Sequence, residues 1–223
     1  MPDLKSFHEL VKKGDLSGVR AALTDQPALL DETNESGQSC FLLANYYRQP
    51  EIAGYLLSLN PKLDLYAACV AGRIEPVLAE IDGDPNLLQS RNSDGWTPLH
   101  LAAFFGHPQL AKGLLNRGAA IDARSSNAMK NTPLHAAVAG NHAEVVTLLL
   151  EQGADANALQ HGGWTALHGA AQTGNLEIAR TLLVHGASIS ARAENNQSPL
   201  DLALMYGKAE MAELLENRGA KLQ

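Results

Sequence analysis

Apolar and polar positions recur along this chain in a fixed order with a period near 33 residues. The clearest mark is Thr132-Pro133-Leu134-His135, which returns as Thr97-Pro98-Leu99-His100, Thr165-Ala166-Leu167-His168 and Ser198-Pro199-Leu200-Asp201. The intervals between the leading residues are 35, 33 and 33. Aligned on that leading position, the pattern extends upstream to slots at Lys5, Ser39 and Leu63. Two residues after each slot stands a large apolar residue: Phe7, Phe41, Leu65, Leu99, Leu134, Leu167 and Leu200. Five residues after it stands Leu10, then Ala44, Ala68, Ala102, Ala137, Ala170 and Ala203. A self-similar period of this length predicts stacked helical repeats.

Each position has a physical task. Thr or Ser caps a helix by accepting from an orphan N–H of its first turn. Pro fits the first helical position because its missing N–H costs nothing there. Leu begins the core, and the small Ala lets neighbouring helices approach without voids. His both donates and accepts, so it can tie one repeat to the backbone of the next.

Nine residues after the slot, Gly14, Gly72, Gly106, Gly174 and Gly207 supply a left-handed helix stop, with Asn141 as the substitute. Arg48 does not suit that turn. A second helix then follows, as in Ala143–Leu150 or Leu176–Leu183, and ends at Gly118-Ala119, Gly153-Ala154, Gly186-Ala187 or Gly219-Ala220. An extended excursion with a tight turn leads to the next slot, its reversal supplied by Gly95, Gly163 or Asn196. Lys130 occupies that place in a loop two residues longer, which predicts a fingertip of different shape.

Taken together, these residues resemble the ankyrin-repeat family, over nearly the whole chain and most strongly over 94–220. The resemblance implies an all-α solenoid of about seven helix–turn–helix repeats with β-hairpin fingers. It divides a single domain, 1–223, into a degenerate N-terminal cap (1–36), a shortened repeat (37–60), internal repeats at 61–93, 94–130, 131–161 and 162–194, and a C-terminal cap (195–223). The short repeat leaves Ser58–Asp64 too little chain for a finger. Glu213 and Glu216 in the last helix, and Lys5, His8, Glu9, Lys12 and Lys13 in the first, suit faces turned to water.

Composition narrows the function. The net charge of −7 divides into −5 over residues 1–93 and −2 over 94–223, with no basic stripe for phosphates. Nucleic acid and anionic membranes are therefore poor partners. No apolar run approaches the roughly 20 residues of a membrane span, and Met1–Leu10 reads as no signal peptide. Cys40 and Cys69 form neither a disulfide framework nor a zinc pattern, and suit a reducing, cytoplasmic setting. They read as small buried hydrophobes rather than reactive thiols.

Eight histidines invite a catalytic or metal reading, but His100, His135 and His168 belong to the repeat motif, structural in the family. His107 and His142 share the position after the helix stop, and His8, His161 and His185 are expected at the surface. No HExxH spacing, Gly-rich phosphate loop or carboxylate pair stands out. The expectation is a monomeric, non-enzymatic chain that needs no cofactor or metal and binds a partner protein. The alternatives are an accessory or inhibitory subunit of an enzyme, or a groove for a small molecule.

The candidate docking residues come from the aromatics, of which the chain has 4 Phe, 5 Tyr and 2 Trp. The family arrangement places Trp96 and Trp164 on fingers, and Tyr46, Tyr47, Phe104, Phe105 and Tyr206 on the exposed side of inner helices. Met129 lies near the altered fingertip, and Met205 beside Tyr206. Such a patch marks an interaction face, and aromatics are common among interface anchors. The two Trp equally suit packing on the next finger, and the tyrosines could fill the space of the missing one.

Overall fold

The computed structural model describes residues 3–220. The chain divides into two compact units, Met1–Ala71 and Gly72–Gln223. Among the described residues are fourteen α-helices and no strand.

The first unit holds α1 (Leu4–Lys13), α2 (Leu16–Asp25), α3 (Cys40–Tyr46), α4 (Pro50–Ser58) and α5 (Leu65–Val70). Helices α1, α3 and α5 pack in sequence as one layer, with α2 and α4 as the other. Asp3 and Asp64 cap α1 and α5, so the slots read at Lys5 and Leu63 slip by two residues and one. Between α4 and α5 there is no finger; Lys62 instead donates its N–H to Asp31 Oδ1 at 2.8 Å.

The second unit holds α6 (Ile74–Gly83), α7 (Pro98–Phe104), α8 (Pro108–Leu115), α9 (Pro133–Ala139), α10 (Ala143–Glu151), α11 (Ala166–Thr173), α12 (Leu176–Val184), α13 (Pro199–Met205) and α14 (Ala209–Asn217). Helices α7, α9, α11 and α13 stack side by side as an inner layer, and α6, α8, α10, α12 and α14 as an outer one. Between the layers lies a core in which Leu99, Leu110, Leu134, Leu149, Leu167 and Ile178 are all but fully buried. Each removes its side chain from water at roughly 1.5–3 kcal/mol. The alanines at slot plus five are buried in both units, where a larger group would hold the helices apart.

Helices α1, α3, α7, α9, α11 and α13 end in the same bond. The N–H ten residues after the slot reaches back to the carbonyl of the residue at slot plus five: His107 to Ala102 at 2.8 Å, His142 to Ala137 at 3.0 Å, Lys208 to Ala203 at 2.7 Å. This closure forces the intervening residue into the left-handed region. Arg48 obeys it, against expectation, with φ 54° and Gln49 N–H bonded to Ala44 at 2.8 Å. The closing bond decides the conformation there, and the side chain bears the steric cost.

The hairpin fingers predicted from the repeat are not built as paired strands. Each is a tight turn closed by a single cross-bond, such as Asn92 N–H to Trp96 at 2.9 Å or Ala193 N–H to Gln197 at 2.9 Å. A main-chain bond also joins successive fingertips: Ser126 N–H to Gly95 at 3.0 Å, His161 N–H to Met129 at 2.8 Å, Glu194 N–H to Gly162 at 2.9 Å. Single bonds of this kind do not propagate a ladder. The longer loop does differ, closing from Ser125 N–H to Asn131 at 2.8 Å around Asn127, whose side chain accepts from Met129 N–H and donates to the Asp94 carbonyl. Lys130, at φ 49°, takes the conformation that Gly or Asn holds elsewhere.

A candidate protein-docking face

The motif histidines frame the inner face of the second unit. In α7, α9 and α11 the imidazole Nδ1 accepts the N–H of its own cap residue: Thr97 at 3.3 Å, Thr132 at 3.4 Å, Thr165 at 3.1 Å. That leaves the ring proton on Nε2, which donates to the main-chain carbonyl just before the next slot: Asn131 at 3.0 Å, Trp164 at 3.2 Å, Gln197 at 3.1 Å. Burial pushes His100 and His135 down to about 4 and lowers His168 as well, so all three are neutral at pH 7. Every nitrogen is engaged in holding the stack. In α13, Asp201 takes the same place, accepting from Ser198 N–H at 2.8 Å and Oγ at 2.7 Å.

On this frame, three of the expected residues come together. Trp96, on its finger, meets Phe104 edge-on with ring centroids 5.1 Å apart and planes at 69°. Phe104 meets Phe105 in the same manner, at 5.1 Å and 80°. All three are half-buried, each keeping part of its ring open to solvent. The cluster is held from behind, where the His142 imidazole hydrogen-bonds to the Phe104 carbonyl. A Cβ added at Gly140 would collide with that same carbonyl oxygen, so the small residue lets α9 approach the end of α7.

Trp164 stands apart from these three. Its ring lies 5.8 Å from His168 and walls a slot of about 120 Å³ with Val138, Ala139, Gly169 and Gln172. Met129 is 49% exposed on the neighbouring fingertip, and Met205 and Tyr206 are exposed at the end of α13. Tyr46 and Tyr47 belong to the first unit, where Tyr47 is exposed and Lys12 Nζ sits 5.7 Å from its ring centroid.

Other exposed apolar side chains escaped the sequence reading. Val184, 72% exposed, ends α12 where Asn116, Glu151 and Asn217 stand in other repeats. Leu159 holds a finger position that Arg91 and Arg192 fill elsewhere. An apolar residue at a register otherwise polar was the available signal.

The family of ankyrin repeats (three copies) matches residues 65–160 and 155–223. This chain belongs to the ankyrin-repeat family. Among related chains, protein phosphatase 1 regulatory subunit 27 of Mus musculus is 41% identical over 121 residues, 54% of this chain and 62% of that protein. Oxysterol-binding protein-related protein 1 of Rattus norvegicus is 46% identical over 46 residues, 21% of this chain and 4% of that protein. A putative ankyrin repeat protein of Acanthamoeba polyphaga mimivirus is 30% identical over 105 residues, 47% of this chain and 5% of that protein. The chain thus spans less than two thirds of the length of each. Among the described residues of these ankyrin repeats, no helix is long and apolar enough to cross a membrane.

Both cysteines are shielded. Cys40 is buried, its thiol pushed up to about 12 by burial, which leaves almost no thiolate at neutral pH. Cys69 is buried as well. Contrary to expectation, His8 is buried too; it stands three residues after the Lys5 slot read from the sequence, which was the signal for its burial, although the helix is capped two residues earlier at Asp3.

Proposed function

We propose that this chain is a non-enzymatic, monomeric and cytoplasmic protein-binding module of about seven ankyrin repeats. Its partner docks on the inner-helix and finger side of the second unit, around Trp96, Phe104 and Phe105, with Met129, Trp164 and Tyr206 as further contacts. The observation that carries this reading is the T-shaped cluster of three half-buried aromatic rings at positions the stack does not need apolar. Large rigid aromatics supply contact area at little entropic cost. On the first unit, Tyr46 and Tyr47 are proposed as a contact surface of their own. The test is capture of a partner from the source cell by the wild type, compared with a Phe104→Ala, Phe105→Ala variant. A partner held equally by both removes this face from the reading.

A second reading, that the partner is an enzyme and this chain its accessory subunit, draws on the similarity to a phosphatase regulatory subunit. Titration of the protein phosphatase 1 catalytic subunit with the pure chain decides it. Saturable binding at micromolar concentration supports it, and no heat or signal at that level rejects it.

A further inference from the structure

The two finger tryptophans hold the same pose. The Trp96 ring lies 6.0 Å from that of His100 with planes at 32°, and the Trp164 ring 5.8 Å from that of His168 at 33°. What meets each indole next is different. Trp96 has the Phe104 ring against it, edge-on at 5.1 Å. Phe104 stands seven residues after its cap, Thr97; seven residues after Thr165 stands Gln172. Gln172 lines the cleft of about 120 Å³ beside Trp164 without filling it.

A second departure from the repeat keeps this space open. Four residues after the cap, α7 and α13 carry the buried Leu101 and Leu202, whereas α11 carries Gly169. Even a Cβ at Gly169 would come within 3.2 Å of Val138 Cγ1, across on α9, and narrow the cleft from that side. Ala139 and Thr173 on the lining are exposed, so the cleft opens to solvent.

Volume and charge narrow the occupant. A protein cavity of roughly 150 Å³ takes up one benzene molecule, and this cleft is of that order with one side open. None of its described lining residues is charged at pH 7: burial pushes His135 down to about 4, and both of its ring nitrogens are engaged. A charged side chain would lose water here and find no counter-charge. A phenyl ring would meet Trp164 edge to face, as aromatic pairs prefer. We propose that this cleft receives one phenylalanine side chain of the partner protein, its ring seated against Trp164 as the Phe104 ring is seated against Trp96. Only the source of that side chain, a protein docked on the inner face, rests on the proposed function.

The experiment is indole N–H NMR on the full chain, the two signals assigned with Trp164→Phe. The probe is N-acetyl-phenylalanine-N-methylamide, with the leucine analogue titrated in parallel. The expected result is a saturable shift of the Trp164 indole, about three- to tenfold weaker binding of the leucine compound, and a Trp96 signal that stays in place. Gln172→Phe restores the residue that Phe104 supplies to Trp96, and Ala139→Leu fills the cleft from the exposed end of α9. Each should weaken the phenylalanine compound by about tenfold or more, with melting unchanged. The Phe104→Ala, Phe105→Ala variant should bind the probe as the wild type does, so its effect on partner capture and the Trp164 response are read separately. No saturable shift of Trp164 up to the solubility limit would overturn the proposal. So would equal affinity for the leucine compound, or an undiminished response in either cleft-filling variant that melts like the wild type. A response centred on Trp96, or abolished with Phe104 and Phe105, would overturn it as well.

Discussion

His100 Nε2 lies 3.0 Å from the main-chain oxygen of Asn131, a residue 31 positions further along the chain. With Nδ1 already engaged by the Thr97 N–H, this one ring joins the cap of its own helix to the finger of the next repeat. The motif histidine is thus a fastener between repeats, and its removal should be felt as stability.

For His135→Ala, the lost bond to the Trp164 carbonyl and the lost acceptor for the Thr132 N–H should lower stability by on the order of 1–3 kcal/mol. Urea denaturation of wild type and variant measures this. A change below a few tenths of a kcal/mol would deny the ring a structural role.

The same rings make stability depend on pH in a stated direction. His100 and His135 carry folded values of about 4 against 6.5 unfolded, both lowered chiefly by burial. Between those values the unfolded chain binds more protons, so stability is whole above pH 6.5 and is lost as the pH falls toward 4. The gap amounts to on the order of 3 kcal/mol for each site once the pH is below 4. Thermal melting from pH 7.5 to 4 should show this fall, and His100→Gln should flatten it. A melting temperature constant across that range would contradict the assignment.

Phe104 and Phe105 are mostly but not fully buried, so truncation should cost the fold about 1–2 kcal/mol each, below the roughly 1.5–3 kcal/mol for full burial. Partner affinity should fall by about 2 kcal/mol or more for the pair. Melting and binding measured on the double Ala variant, with Glu177→Gln on α12 as control, separate the two roles. A loss near 3–5 kcal/mol for each Phe would mark them as core.

Arg48 holds φ 54° because the helix-closing bond demands it. The left-handed conformation costs a non-glycine residue about 1–2 kcal/mol, while Gly adds roughly 0.5–1 kcal/mol of freedom to the unfolded chain. Arg48→Gly should therefore stabilise by up to about 1 kcal/mol. Gly106→Ala should do the opposite, since its φ is +76° and its Cβ would strike the His142 ring. Parallel denaturant titrations give both signs, and destabilisation by Arg48→Gly would show that the Arg side chain itself matters there.

Stability in a repeat array is roughly a sum of repeat and interface terms, and a shorter array sums fewer of them. Hydrogen exchange should accordingly protect Leu99–Leu200 more than Phe7–Leu57. Equal protection across both segments would mean that the first unit reaches the same opening free energy.

What could be read from the amino-acid order is what depends on residues a few positions apart. The Thr or Ser cap, the Pro that follows it, and the Gly or Asn at the helix stop act within one or two turns, so spacing alone revealed them. Contacts across a repeat were legible only where the motif recurs intact, as with the three histidines. The rest was decided by how turns, fingers and helices close on one another in three dimensions. Arg48 and Lys130 adopt left-handed backbone because the turn around them closes, whatever their own preference. Trp96, Phe104 and Phe105 become one cluster, and Trp164 a separate wall, through the way fingers lie on helices. His8 shows the division most directly. Its register marked it for burial, but only the fold shows its Nε2 buried without a hydrogen-bond partner among the described residues, where its counterparts reach a main-chain carbonyl.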